Sequence, residues 1–156
     1  REILSLFGEE LAMAVSVSFY NHTRKLFSNG EVDLVDLKVM LLSNLASFTA
    51  TNTVVGDVSA NEVSGNGWTA GGESIASAAV TAVNTNEAKL DGNDISVTAT
   101  GGTIGPASYA VIYDDDATTK NLLFWIDFGG AQEAGVSTDF KILWNAAGIA
   151  TFTAPA

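Results

Sequence analysis

Ala107-Ser108-Tyr109-Ala110-Val111-Ile112-Tyr113, Asp114-Asp115-Asp116-Ala117-Thr118-Thr119-Lys120 and Asn121-Leu122-Leu123-Phe124-Trp125-Ile126-Asp127-Phe128-Gly129-Gly130 form one continuous stretch. Two apolar runs flank a polar, charged connector, which is the pattern of a β-hairpin. Leu122, Phe124, Ile126 and Phe128 alternate onto one face, and Leu123, Trp125 and Asp127 take the other. In the partner run Tyr109, Val111 and Tyr113 face opposite to Ala110 and Ile112. Both faces are largely apolar, so these are expected to be central strands covered on both sides.

The chain around this hairpin has 156 residues, the size of one domain that buries about 70% of its unfolded surface without staples. The absence of Cys excludes disulfides and thiolate metal sites. Seven basic against 18 acidic side chains give a net charge of −11. Such a surface repels DNA, RNA and anionic lipid, so neither nucleic acid nor membrane is an expected partner. No apolar run reaches the 18 or so residues of a spanning helix.

Outward from the hairpin, Ile3, Leu4, Phe7 and Leu11 fall near one helical face. Residues 1–12 therefore read as a short docking helix. They also read as translated leader. Met13-Ala14-Val15 has the look of a start, and Gly8-Glu9-Glu10 would be encoded by a purine-rich stretch resembling a ribosome-binding site. Residues 1–18 are taken as an N-terminal segment and 19–156 as a single domain. Val17 to Asn29 reads as a short helix ending at Gly30, a residue suited to the left-handed C-terminal position. Val35, Leu37, Val39 and Leu41 alternate as a strand whose end, Met40 to Leu42, is buried on both faces. Val54-Val55 is a short strand candidate in a polar, Thr-rich region, and Ile75 to Val83 is a weak, Ala-rich strand. Asn86 to Leu90 and Ile95 to Ala99 flank the turn Asp91-Gly92-Asn93-Asp94. Val136, Phe140, Ile142 and Trp144 alternate, Asn145 to Gly148 turns the chain, and Ile149 to Thr153 returns. Seven to nine strands at this spacing predict an all-β fold, an antiparallel, jelly-roll-like β-sandwich with a short N-terminal helix.

No constellation of catalytic residues stands out. His22 is the sole histidine, so it has no partner for a metal site and reads as a helix-face residue. Asp114, Asp115 and Asp116 are weak Ca²⁺ candidates, because hard cations take several carboxylates, but consecutive carboxylates at a hairpin tip are usually just solvated. Asp91 and Asp94 are explained by turn formation. Glu62, Glu73 and Asp127 could supply glycosidase carboxyls, but nothing in the sequence pairs them. No metal or other cofactor is expected. Trp68, Tyr109 and Tyr113 could stack sugars, which keeps a carbohydrate-binding module as a competing reading.

The most specific string is Asn61-Glu62-Val63-Ser64-Gly65-Asn66-Gly67-Trp68-Thr69-Ala70-Gly71-Gly72. It resembles the NEVSGTGYTAGG segment of a widespread family of small tailed-bacteriophage virion proteins, with Trp68 where that family more often has Tyr. In the same order along the chain, Asp36 to Leu41 resembles the family's first strand. Tyr109 to Asp114 and Trp125 to Gly130 resemble its paired central strands, and Asp139 to Asn145 with Gly148-Ile149 resembles its C-terminal hairpin. Coverage runs from about residue 19 to residue 152. Ile95 or Ile104 stands where the family usually has a Trp before its central strand, a local departure in packing.

The resemblance implies a virion structural protein without catalysis, with head decoration (cement) on the capsid exterior first and a tail or adaptor position second. The partner it implies is the major capsid protein or another virion protein, and a symmetric homo-oligomer, a trimer, is expected. The glycines of the 61–72 loop allow close backbone approach, and Trp68 reads either as an interface anchor or as a plug in one end of the sandwich. Expected contact residues are Phe7, Leu11, Glu62, Val63, Trp68 and Thr69.

Overall fold

The apolar runs of the central stretch are the two longest strands of the structure. The computed structural model describes residues 4–6, 9–11, 15–116 and 118–154, the first two spans through their backbone alone. In chain order the strands are β1 (Leu4–Leu6), β2 (Glu9–Leu11) and β3 (Ser16–Phe19), followed by helix α1 (Thr23–Ser28) and β4 (Leu37–Leu42). Then come β5 (Glu62–Val63), β6 (Glu73–Ser74), β7 (Ala79–Asn84), β8 (Glu87–Asp91) and β9 (Ile95–Thr98). The central hairpin is β10 (Ile104–Asp114) and β11 (Leu122–Ala134), and β12 (Asp139–Ile142) and β13 (Ala150–Thr153) close the chain. Short 3₁₀ turns at Leu34–Asp36, Val55–Asp57 and Ser59–Asn61 complete the elements.

The fold is all-β, and every pairing between these strands is antiparallel. A central sheet runs β3-β11-β10-β4-β5, with β6 also paired to β4; a second runs β2-β1-β12-β9 and a third β13-β8-β7. The middle strands of the central sheet are covered on both faces, as their two-sided apolar pattern requires. On one face Val39, Leu41, Ala110, Ile112, Phe124 and Ile126 pack with Ile95, Phe140 and Ile142 of the second sheet and Leu90 and Ala150 of the third. On the other, Met40, Leu42, Val111, Tyr113, Leu122 and Trp125 pack with Tyr20, Ala46 and Val58. The end of β4 is thus buried on both sides, as its continuous apolar run predicts. Val35, predicted on the same strand, lies in the 3₁₀ turn before it and is 83% exposed.

The faces of β10 follow the sequence pattern, but those of β11 do not throughout. Ile112 pairs with Phe124 and Tyr113 with Leu122, so Leu123 is an extra residue in the ladder. This bulge moves Leu122 to the Trp125 face and leaves Leu123 on the Phe124 face. Helix α1 is shorter than the predicted span, because Ser16–Phe19 is taken into the central sheet beside β11. Its end matches the expectation: Gly30 has φ +69° and Glu31 N–H donates to the Leu26 carbonyl.

Other expectations are corrected. Residues 4–6 and 9–11 are strands rather than a docking helix, and β1 lies beside β12 with Leu6 opposite Phe140. A helix of twelve residues is marginal alone, whereas the edge of β12 supplies backbone partners. Val54 makes only a single bridge, to Asn121, before the turn at Val55. The weak strand begins at Ala79 rather than Ile75. β12 and β13 are not a hairpin: β1 and β9 occupy both edges of β12, so β13 pairs with β8 instead. The Asp91–Asp94 turn likewise carries the chain from the third sheet to the second.

Phe140 and Phe124 are fully buried, and Phe140 packs its ring against both Trp68 and Phe128. Phe140→Ala is expected to cost about 3–5 kcal/mol in urea unfolding, while Val35→Ala at the exposed turn is expected to change stability by less than about 0.5 kcal/mol.

Candidate functional site

The 61–72 loop leaves the central sheet at β5, where Val63 pairs with Leu41 and Glu62 with Leu42. It then reverses in a tight turn closed by reciprocal backbone hydrogen bonds, Gly65 N–H to the Trp68 carbonyl (2.8 Å) and Trp68 N–H to the Gly65 carbonyl (3.0 Å). The turn needs Asn66 at φ +55° and Gly67 at φ +109°, and a Cβ on Gly67 would sit 2.6 Å from the Thr98 carbonyl oxygen. Asn66 ties the turn to the chain before β10, its carbonyl accepting from Thr100 N–H and its Nδ2 donating to the Thr103 carbonyl.

Carboxylates hold the return limb. Glu73 Oε1 accepts from Thr69 N–H at 2.8 Å and Glu62 Oε1 accepts from Gly71 N–H at 2.5 Å. The Tyr113 hydroxyl donates to the Gly71 carbonyl at 2.5 Å. Burial, reinforced by the Asp115 and Glu62 carboxylates, pushes the Tyr113 hydroxyl up to about 12, so it remains a donor at neutral pH. Gly72, at φ +97°, lies against β4 so closely that a Cβ would meet the Val39 carbonyl oxygen at 2.1 Å. The loop is therefore a fixed platform: Ser64, Gly65, Asn66, Gly67, Thr69 and Ala70 are exposed on it, and none carries a charge.

The contact residues expected from the sequence fall out differently within this platform. Trp68 is 2% exposed, with its ring 5.5 Å from that of Phe140. Of its two readings, the burial is that of the plug; a ring packed inside its own chain is not an anchor inserted into a partner. Glu62 is half-buried and turned onto Gly71, and Val63 is half-buried against the main core. Thr69 is exposed, as a contact residue must be. Phe7 lies outside the described residues, and for Leu11 only the strand backbone of β2 is described. The exposed tip residues Ser64, Asn66 and Ala70 were not singled out by sequence; alternation of buried and exposed positions does not apply inside a turn.

The three consecutive aspartates do not converge. Asp114 is buried, accepting from Asp33 N–H at 2.9 Å and Asp116 N–H at 3.1 Å. Asp115 is paired with Lys120 and, at 2.7 Å, with Lys38; hydrogen bonds from these two ammonium groups, Lys120 first, hold its carboxyl below the usual range. Asp116 instead comes within 4.8 Å of Asp33 and Asp36, an exposed group of carboxylates of the type hard cations accept. Asp91 pairs with Lys89, and Asp94 accepts from Trp144 N–H.

Glu62, Glu73 and Asp127 are each engaged with backbone: the two glutamates accept from amides of the same loop limb, Gly71 and Thr69, and Asp127 accepts from Gly129 N–H at 2.8 Å. His22 Nε2 lies 2.6 Å from the Leu122 carbonyl and so donates to it, which with the Thr23 hydroxyl on the Leu123 carbonyl docks α1 on β11. Trp68 and Tyr113 are buried, and half-buried Tyr109 packs its ring 4.8 Å from that of Trp125, so these three rings offer no shared stacking platform. No family model matches the chain, nor does any curated protein or solved structure.

Gly72→Ala combines backbone strain with a clash against Val39 and is expected to cost roughly 2–6 kcal/mol. Gly65→Ala, at φ +95° in open space, is expected to cost roughly 1–2 kcal/mol; paired chemical denaturation checks the order. For Asp115, a carboxyl lowered in the folded state contributes stability above its unfolded value of about 3.9, and loses that contribution as pH falls through the folded value. The stability gap between the native chain and Asp115→Asn is therefore expected to be widest at neutral pH and to close below about pH 4, measured by thermal melting across pH.

Proposed function

We propose that this chain is a non-enzymatic structural protein of a tailed-bacteriophage virion, acting as a decoration (cement) protein on the capsid exterior. The observation that carries the reading is the 61–72 segment. The string that most resembles the virion family is also one that backbone, carboxylate and Tyr113 hydrogen bonds tie down, with an uncharged exposed tip. A tip of fixed shape loses little conformational freedom on docking, which suits repeated binding to a protein lattice. We also propose that the three sheets form a jelly-roll-like sandwich, with the central sheet as one layer and the two smaller sheets as the other. The shared apolar cluster between them supports that arrangement.

The partner is the major capsid protein. The contacts are the loop tip, with Thr69 foremost, and the N-terminal segment that includes Phe7 and Leu11. The protein works as a symmetric homo-oligomer, so each site needs only modest affinity, since several sites engaging together multiply the effect. A net charge of −11 keeps the copies soluble and biases them toward a less acidic surface. Nucleic acid and membrane take no part, and no cofactor is used.

Immunogold electron microscopy of particles from the source, with antibody to the recombinant protein, tests the reading. Label over the capsid shell is expected, and Thr69→Lys is expected to lower binding to particles by about tenfold or more while melting unchanged. Label confined to the tail would move the partner to tail proteins. Absence of label from all particles would overturn the proposal, and retention on a glycan column would then favour a carbohydrate-binding module.

A further inference from the structure

In the third sheet, β8 lies between β13 and β7, so among the described residues β7 has one paired edge and one open edge. All six of its residues, Ala79 to Asn84, are exposed, with Val80 at 40% and Val83 at 51%. Proteins ordinarily protect such an edge with a charge, a proline or a covering segment. None of the first two is present: from Ser74 to Asn86 the sequence has no Asp, Glu, Lys, Arg or Pro. Its neighbour β8, by contrast, carries Glu87, Lys89 and Asp91.

Across the face of this sheet lies an apolar groove of about 420 Å³ lined by Phe27, Val32, Leu34, Ala88 and Phe152, to which β7 contributes Val80. The register of β7 on β8 places Val80 opposite Leu90 and Ala82 opposite Ala88. Val80 and Ala82 therefore share the face on which Leu90 enters the core. A strand laid along the open edge extends this apolar wall.

We infer that β7 is a self-association edge: it pairs antiparallel with β7 of a second copy about a two-fold axis, joining the two third sheets into one. A second copy fits for reasons of charge and symmetry. Two chains at −11 repel wherever acidic surfaces meet, and this strand brings two copies together with no charge on either side. The charged β8 strands are then three strand spacings apart, about 14 Å. That exceeds the screening length of about 8 Å at physiological salt. An antiparallel strand is its own complement under a two-fold, so no second surface is required. The inference deepens the homo-oligomer proposed above and rests on it for self-association alone. It replaces the trimer expected from sequence with a two-fold pair.

The test uses the purified full chain, without particles, so it is separate from the question of virion location. Sedimentation across the micromolar range is expected to give dimer mass for the native chain and for Thr151→Lys on the exposed side of β13. Ala82→Lys is expected to raise the dimer dissociation constant by about tenfold or more. A native monomer, a native trimer, or a dimer unaffected by Ala82→Lys would overturn the inference. Because the chain has no cysteine, Ala82→Cys provides a second measurement that does not depend on the lysine variant folding. Mild oxidation is expected to give a covalent dimer with Ala82→Cys and none with Val136→Cys, which is also exposed but lies off this edge; equal crosslinking of the two would contradict it.

Discussion

Burial of the β10–β11 hairpin on both faces is the constraint on which the other elements depend. A strand pair with Ala110, Ile112, Phe124 and Ile126 on one side and Val111, Tyr113, Leu122 and Trp125 on the other is stable only if something covers each side. The second and third sheets cover one. The other is covered by Tyr20 and by Ala46 and Val58 of the long connection between β4 and β5. That connection has little regular structure because its task is to lie flat over a sheet: Ala46 and Val58 face in, while Leu45, at 80% exposure, faces out.

The same constraint shapes the 61–72 loop. Gly72 is pressed onto the backbone of β4, Tyr113 reaches the loop from β10, and Trp68 reaches Phe140 in the second sheet. The loop thus spans from the central sheet to the second, and its indole closes the space between them. Its rigidity is derived from the core beneath it, which links packing to the proposed recognition. A platform on this base presents the same uncharged atoms in every copy, and repetition of a single shape is what a lattice-binding protein requires.

Much of this was legible in the sequence, and the exceptions have physical causes. From Tyr109 to Tyr113 the faces of β10 follow strict alternation, so Tyr109, Val111 and Tyr113 could be separated from Ala110 and Ile112. On β11 the bulge at Leu123 was hidden, because Leu122 and Leu123 are the same residue and either parity looks apolar. Trp68 beside glycines is equally the sequence of a plug and of an anchor; only burial separates them. Ile3, Leu4, Phe7 and Leu11 fit a helical face, but the backbone at 4–6 takes the edge beside β12 and that at 9–11 pairs with 4–6. Asp114, Asp115 and Asp116 are adjacent in sequence, yet neighbouring side chains at a strand end diverge. Asp116 meets Asp33 and Asp36 only because β4 pairs with β10.

The claim that unites fold and proposed role is that the 61–72 loop is held as firmly as the hairpin it rests on. Native-state amide hydrogen exchange measures this directly. The account predicts that the amides of Thr69, Gly71 and Gly72, bonded to Glu73, Glu62 and Thr69, exchange as slowly as those of Val111 and Ile112 in β10. Exchange of the loop amides at free-chain rates, with β10 still protected, would contradict it: the loop would then be a mobile segment rather than a platform.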